Sequence, residues 1–153
     1  MTQILLHTKI CAPIEEVFNL SRSIDFHLKS AKQTNESVIS GKSKGLINLN
    51  ETVTWRGKHF GFNLKHTSKI TQLNHPNSFT DLMIEGQFKY FIHQHLFFEK
   101  DYGTLMVDII KYKTPYGYFG RLFDSVLLKS HLTQFLSTRN TVIKIELEKN
   151  PIS

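Results

Sequence analysis

The C-terminal stretch 119–148 constrains the fold most, because it reads as one long helical region. It contains no proline, and no glycine follows Gly120 within it. Its apolar residues recur at intervals of three and four, the spacing that places an apolar stripe on one helix face. They are Phe119, Leu122, Phe123, Val126, Leu128, Leu132, Phe135, Leu136, Val142 and Ile143. Since the preceding chain reads mainly as strands, this helix is predicted to bury its stripe on a β-sheet.

The stripe does not follow one side of a straight helix. At 100° per residue, the apolar residues on the two sides of Leu127 centre on directions roughly half a turn apart. A break or kink is therefore predicted within 127–130. The segment before it is expected to pack away from the later helix, as a lid at the mouth of a cavity. The alternative is a continuous helix that sheet and a partner chain cover on two sides.

The rest of the chain predicts seven strands and two short helices. Apolar alternation and turn residues indicate strands at 3–11, 36–40, 49–56, 59–73, 78–85, 90–99 and 104–112. Short helices are expected at 14–20, after Pro13, and at 24–30, after the capping residue Ser23. The order β-α-α-β-β-β-β-β-β-α places the chain in the α+β class.

The hairpin of the third and fourth strands has the clearest pattern. Gly57-Lys58 is predicted as its two-residue turn, which sets Trp55 beside Phe60 and Val53 beside Phe62. His59 then belongs to the opposite, polar face of the hairpin. One apolar and one polar face is typical of a sheet packed on one side.

Composition agrees with one domain over residues 1–153. Hydrophobic residues make up 40 %, and twelve phenylalanines supply a large core or a lined cavity, between which composition does not decide. The single cysteine, Cys11, excludes an intrachain disulfide. Neither a signal-peptide pattern nor an apolar run of about 18 residues occurs, so a cytoplasmic protein without integral membrane association is expected.

The net charge of +6 raises nucleic acid and anionic membrane surfaces as partner classes. The basic residues are dispersed along the sequence, however, and the densest group is Lys42 and Lys44 in an expected loop. Because no recognised nucleic-acid-binding module accompanies the charge, no nucleic-acid partner is expected.

Several short strings along the chain form a recognisable series. They are Ala12-Pro13-Ile14-Glu15-Glu16-Val17-Phe18, Ile24-Asp25, Glu51-Thr52-Val53-Thr54-Trp55-Arg56, Phe60-Gly61, Phe79-x-Asp81-x-Met83, Gly86-x-Phe88, His93-x-His95-x-Phe97, Thr104-x-Met106-x-Asp108 and Tyr112-x-x-Pro115-x-Gly117. With these strings the chain resembles the START-like helix-grip superfamily, the SRPBCC group, which includes pollen-allergen-like proteins, polyketide cyclases and lipid-transfer domains. The resemblance covers nearly the whole chain.

The resemblance implies a strongly curved seven-stranded antiparallel sheet around a long C-terminal helix, with two short helices closing one end of the cavity. It also implies a single START-like ligand-binding domain that binds a hydrophobic or amphipathic small molecule, such as a lipid, an isoprenoid or an aromatic compound. No cofactor and no metal follow from it. The superfamily hosts carriers, enzymes and regulators, so the fold does not decide the function.

Alternation in the last three strands defines two faces, both apolar enough to be core. The first set is predicted to be concave because it continues the aromatic face of the hairpin. It comprises Phe79, Asp81, Met83, Phe91, His93, His95, Phe97, Met106, Asp108, Ile110 and Tyr112. The second set, on the outer face, comprises Leu82, Ile84, Ile92, Leu96, Phe98, Leu105, Val107 and Ile109. Because apolar outer faces often mark interfaces, a homodimer is a further hypothesis.

Two acid–imidazole pairs are the sharpest chemical feature of the sequence. The predicted register sets His93 opposite Asp81 and His95 opposite Asp108 on the concave face. Three interpretations stay open: buried partners that satisfy each other, polar anchors for a ligand, and general acid–base or metal chemistry. The His-x-His spacing on a strand is weak evidence for a metal, and no metal site is assigned.

The predicted ligand-binding residues combine the concave sheet face with the C-terminal helix. They are Val53, Trp55, Phe60, Phe62, Phe79, Asp81, Met83, Phe91, His93, His95, Phe97, Met106, Asp108, Ile110, Leu132, Phe135, Leu136 and Arg139. Arg139 lies on the apolar side of the helix, where its head is expected to reach water; the alternative is a cation that meets a ligand carboxylate.

Three functions follow, of which a binding protein for a hydrophobic small molecule is favoured. The second is an enzyme of cyclase, dehydratase or hydrolase type that uses His93 or His95 with Asp81 or Asp108. The third is a regulatory protein that binds partners through the outer apolar face. No activated nucleophile is recognised in the sequence, so a catalytic function is less favoured than binding.

Overall fold

A computed structural model describes residues 1–149, with Gln33 described by its backbone alone. The end of the predicted domain, 150–153, lies outside the described residues. The described chain forms one antiparallel sheet in the order β1-β7-β6-β5-β4-β3-β2. Its strands are β1 Thr2–Ile10, β2 Ser37–Gly41, β3 Thr52–His59, β4 Phe62–Asn74, β5 Ser78–Glu85, β6 Tyr90–Lys100 and β7 Gly103–Lys113.

The helices follow the predicted positions closely. They are α1 Ile14–Ser21, α2 Ile24–Ser30, α3 Gly117–Phe123 and α4 Lys129–Glu148, with a 3-10 turn at Lys32–Thr34. The Ser23 hydroxyl caps α2 by accepting the Phe26 N–H, as expected for a residue that satisfies an unpaired first-turn donor. Helix α4 packs against β1, α1 and α2. The predicted helix-grip architecture is therefore confirmed.

The turn between β3 and β4 differs from the predicted one. The strands pair Trp55 with His66 and His59 with Phe62, which leaves Phe60-Gly61 as the turn. Both turn residues have positive φ, 52° and 81°, as a type I′ hairpin turn requires, and Gly61 adopts it without a Cβ clash. The sequence Gly57-Lys58 continues the strand instead, so the prediction of a turn there is wrong and His59 moves from the polar face to the inner face.

The face assignment of β5, β6 and β7 is confirmed. Phe97, Met106 and Ile110 of the predicted concave set are at most 2 % exposed, whereas Ile84 and Phe98 of the outer set are 55 % and 45 % exposed. The buried side chains form two clusters. One joins Phe18 of α1 to inward-facing residues of β5, β6 and β7, and the other joins Ile110 and Tyr112 of β7 to Leu136 of α4.

A π-helical segment, Asp124–Leu128, interrupts the C-terminal helix between α3 and α4. The hydrogen-bonding pattern thus changes slightly earlier than the predicted break or kink, while the backbone stays helical throughout. A π-turn inserts an extra residue, which rotates the following side chains relative to the preceding ones. Asp124 is buried here, where it accepts hydrogen bonds from the hydroxyls of Tyr112, at 2.5 Å, and Thr2.

Candidate functional site

A cavity of about 700 Å³ lies between the inner face of the sheet and the C-terminal helix. Its volume falls in the range of small-molecule sites, roughly 300–1,000 Å³. Among residues 1–149, eight of the twelve phenylalanines and six of the eight histidines line it. The cavity is thus an aromatic chamber with imidazole groups in its wall.

The polar floor is the buried end of this cavity, formed by Asp81, His93, His95, Arg139 and His27, with Asp108 directly behind the two strand histidines. Backbone register sets His93 opposite Asp81 and His95 opposite Asp108, as predicted. The side chains nevertheless cross: His93 Nε2 lies 2.7 Å from Asp108 Oδ1, and His95 Nε2 lies 2.8 Å from Asp81 Oδ2. Diagonal neighbours on adjacent strands are within reach of long side chains, which explains the exchange.

The imidazole rings of the floor form a stack. His93 and His95 have centroids 3.7 Å apart, and Phe79 covers the other side of His95 at 4.1 Å. His95 Nδ1 lies 3.3 Å from Asp108 Oδ1 but lacks hydrogen-bonding alignment. Because carboxylates accept only, each Nε2 carries its proton toward an aspartate.

Charge is compensated within the floor. Burial alone would raise the pKa of Asp81, but the His95 hydrogen bond and the nearby imidazoles lower it to about 2. Burial opposes ionisation of Asp108 as well, and His93 and His95 still hold its pKa well below the usual value. Burial would lower the pKa of His95, yet the two aspartates raise it. The two aspartates thus favour the charged form of His95, and the Arg139 guanidinium lies near Asp108 as well.

Helix α4 joins this network through two polar side chains. Asn140 Nδ2 donates to Asp108 Oδ2 at 2.7 Å, and Arg139 Nη1 lies 3.9 Å from Asp108 Oδ1. Arg139 Nη2 also donates to the Ser21 carbonyl at 3.0 Å. The expectation that Arg139 reaches water is wrong, because the residue is only 5 % exposed and these acceptors hold its head inside.

Asp81, His93 and His95 also form a cluster whose potential ligand atoms lie within 4.8 Å of one another. Two imidazoles and a carboxylate suit zinc or a similar divalent ion. In this arrangement, however, His95 and Asp81 bond to each other and the two imidazole rings are stacked. The geometry fits a hydrogen-bonded network better than a metal site.

Four further histidines line the cavity and are absent from the predicted site: His27, His59, His66 and His131. His27 stacks on Trp55 at 4.1 Å, and burial together with the Arg139 charge lowers its pKa to about 4. His59 Nδ1 lies 2.9 Å from His131 Nε2, which connects the hairpin to α4. Helical spacing could have identified His131, four residues before Phe135 on the apolar stripe; the misplaced turn hid His59.

The exposed aromatic side chains mark where the cavity opens. Phe60, Phe62, Phe119 and Phe123 line it and are 40–77 % exposed. The Phe60 ring contacts Phe123 at 5.3 Å and His131 at 4.5 Å, which closes part of the gap between hairpin and helix. Phe60 has positive φ, an uncommon conformation for a bulky residue, so the turn holds this ring at the opening.

Most predicted ligand-binding residues line the cavity. They are Val53, Trp55, Phe60, Phe62, Phe79, Asp81, Phe91, His93, His95, Leu132, Phe135, Leu136 and Arg139. The other five, Met83, Phe97, Met106, Asp108 and Ile110, are not among the lining residues. Phe97 and Met106 are covered by α1, through Phe18 at 5.4 Å and Ser21 Oγ at 3.5 Å.

The remaining three of these residues support the cavity wall from behind or beside it. Met83 and Ile110 pack in the core cluster next to α4, and Asp108 is fully buried beneath the two imidazoles. Facing inward was therefore necessary for contact with the cavity but not sufficient, because short helices and α4 cover part of the concave face.

Solved structures of similar shape establish the fold class. Protein TTHA0849 from Thermus thermophilus superposes with a TM-score of 0.73 at 16 % identity, over 93 % of this chain and 97 % of that one. Ginseng major latex-like protein 151 from Panax ginseng gives 0.71 at 16 % identity, over 95 % and 97 %. Ara h 8.0201 gives 0.70 at 11 % identity, over 97 % and 99 %.

These likenesses show the START-like helix-grip fold, as predicted, and at such identities they show the fold alone. No protein-family model and no curated relative matches the sequence. Within residues 1–149, no helix has the length and hydrophobicity of a membrane span.

Proposed function

We propose that this protein binds a hydrophobic small molecule, such as a lipid, an isoprenoid or an aromatic compound, in the cavity between sheet and α4. The observation that carries the proposal is the cavity of about 700 Å³, lined by phenylalanines and closed by a polar floor. Apolar walls with a few convergent polar groups are typical of small-molecule sites. The resemblance to ligand-binding helix-grip proteins supports the same function, and a cytoplasmic location stays a prediction of the sequence.

The floor favours a ligand with a neutral polar end. Asp81 and Asp108 already face Arg139 and His95, whose charged form they favour, whereas burial lowers the pKa values of His27 and His93 and favours their neutral form. A neutral imidazole donates through one ring nitrogen and accepts through the other. A hydroxyl or carbonyl oxygen therefore fits this end better than an ionised carboxylate, which would add an uncompensated charge.

Native mass spectrometry with a fatty alcohol, a quinone and a polyaromatic hydrocarbon tests the proposal. We expect a one-to-one complex with at least one of them, and loss of that complex in Ser68→Phe. Ser68 lines the cavity and is 5 % exposed, so a phenyl ring there projects into the chamber and occupies space that a ligand needs. Thr71→Phe on the same strand is the control, because Thr71 is exposed. Failure of all three classes to bind a folded wild-type protein would contradict the proposal.

An enzymatic function is the second candidate, favoured by one observation: His93 and Asp81 face the cavity while Asp108 fixes the orientation of His93. Imidazoles oriented by carboxylates serve as general acids or bases. The variant His93→Gln distinguishes the two functions. In an enzyme it would abolish turnover of a bound substrate, while the one-to-one complex would remain in the mass spectrum. Unchanged turnover would remove His93 from such a mechanism.

A further inference from the structure

The mouth surface is a group of exposed apolar side chains at the cavity opening and on the helical segment that adjoins it. It comprises Phe60, Phe62, Tyr116, Tyr118, Phe119, Leu122, Phe123, Val126 and Leu127, which are 40–81 % exposed. Large apolar groups scattered singly are ordinary on proteins, whereas a cluster of this kind marks a surface that binds something.

The fold holds these side chains outward. Asp124 turns inward to the hydroxyls of Tyr112 and Thr2, so the opposite sides of α3 and the π-helical segment face away from the core. Gly120 lies against the Pro115 carbonyl, where a Cβ would come within 1.8 Å, which fixes α3 closely on the preceding turn. The exposure therefore follows from specific contacts of buried groups.

The exposed charges within the two segments that carry the mouth surface have one sign. The two segments that carry the mouth surface, 56–65 and 111–131, hold seven basic residues: Lys65, Arg121 and Lys129, together with Arg56, Lys58, Lys111 and Lys113, which alternation places on the outer face of their strands. All seven are exposed, and their single acidic residue, Asp124, is buried. The expectation of dispersed charge is thus incomplete, since folding brings two basic segments to one end.

We infer that the mouth surface docks on an anionic lipid bilayer, with the apolar side chains entering the interface and the basic residues meeting lipid phosphates. Basic amphipathic surfaces bind membranes through buried apolar area together with attraction to anionic lipids. Tyr116 and Tyr118 suit this position, because a tyrosine ring combines an apolar body with a polar tip.

Other partners fit the same surface less well. A second copy of the chain would bring the basic residues of two mouth surfaces together, and like charges at an interface oppose association. A nucleic acid would attract the cations but would leave the aliphatic Leu122, Val126 and Leu127 in water. Docking requires no ligand in the cavity, so a protein that binds no small molecule can still attach to a bilayer.

Sedimentation with lipid vesicles tests the inference. We expect the wild-type protein to pellet with vesicles of phosphatidylcholine containing about 30 % phosphatidylglycerol, and to pellet less when the salt concentration is raised. Arg121→Glu with Lys129→Glu should weaken binding about tenfold or more, since each basic residue near an anionic surface contributes a several-fold factor. Tyr118→Ser with Val126→Ser should weaken it as well, without altering the cavity, which neither residue lines.

Matched controls lie far from the mouth. Lys100→Glu changes an exposed lysine at the opposite end of β6, and Phe98→Ser removes an exposed ring on the outer face; both should bind vesicles like wild type. Two results would overturn the inference. One is no pelleting with the anionic vesicles, and the other is a dimer in light scattering that Tyr118→Ser with Val126→Ser dissociates.

Discussion

The two ends of the cavity differ in how their side chains are satisfied. At the polar floor, Asp108 is fully buried and has contacts to His93, Asn140 and Arg139. At the mouth, Phe119 and Tyr118 are 77 % and 68 % exposed, and the single acidic residue in the segments of the neighbouring cations, Asp124, is buried. A buried charge is tolerated only with partners, whereas an exposed apolar group carries little folding free energy. The floor therefore contributes to stability, and the mouth is available for binding.

The largest expected effect comes from breaking the floor. Asp108→Ala leaves His93 and Asn140 without their shared acceptor and Arg139 without the nearby carboxylate, and loss of one partner in a buried charged network costs about 3–5 kcal/mol. We expect a fall of that size in the free energy of unfolding, measured with urea and circular dichroism. The control is Glu99→Ala, an exposed carboxylate that should change stability by less than about 0.5 kcal/mol. A small effect of Asp108→Ala would show that the floor does not support the fold.

Acid should weaken the floor through His27. Its pKa is about 4 in the folded protein, against an ordinary value of 6.5, because burial and Arg139 disfavour its charged form. A group with a depressed pKa adds to the free energy of unfolding at pH values above its pKa in the unfolded chain. For His27 that contribution, about 3 kcal/mol, is lost as the pH falls from about 6.5 to 4. The pKa of His95 is raised instead, so its contribution to the free energy of unfolding is present below about pH 6.5 and is lost as the pH rises above that value.

Urea unfolding at pH 7 and pH 4 measures this contribution. His27→Gln should reduce the loss of stability on acidification by about the His27 share. His7→Gln replaces an exposed histidine and should leave the loss unchanged. Equal acid sensitivity of His27→Gln and wild type would assign the pH dependence to other groups, such as His66 or His93, whose pKa values are lowered in the same direction.

The mouth should show the smallest effect on stability. Tyr118→Ser and Val126→Ser remove exposed apolar groups, so each should change the free energy of unfolding by less than about 0.5 kcal/mol. Urea unfolding of each variant measures the change. A loss of several kcal/mol from either variant would mean that the mouth supports the fold, and the contrast with the floor would disappear.

The sequence predicts the floor better than the mouth, for a physical reason. Alternation on strands identifies inward-facing residues such as His93 and His95, because the side-chain period of two is strict. The hairpin turn depends on one local choice, and placing it at Gly57-Lys58 rather than Phe60-Gly61 shifts the pairing and hides His59. Helical periodicity locates the discontinuity near Leu127, since a π-turn leaves a change of phase in the apolar pattern.

Two features of the site cannot be obtained from local pattern. An arginine on a helix usually reaches water, and only the tertiary placement of Asp108 and Ser21 keeps Arg139 inside. The basic residues of the mouth come from segments 56–65 and 111–131, which are distant in sequence. Its existence depends on the hairpin and α3 meeting at one opening.

Energy transfer from Trp55, the single tryptophan, to a bound apolar fluorophore tests the central claim most directly, because Trp55 lines the cavity. Titration with N-phenyl-1-naphthylamine should give saturable quenching of Trp55 and sensitised probe emission in wild type and Thr71→Phe. Ser68→Phe should abolish both. Quenching that persists unchanged in Ser68→Phe, or probe emission that rises without quenching of Trp55, would place the ligand outside this cavity and contradict the account.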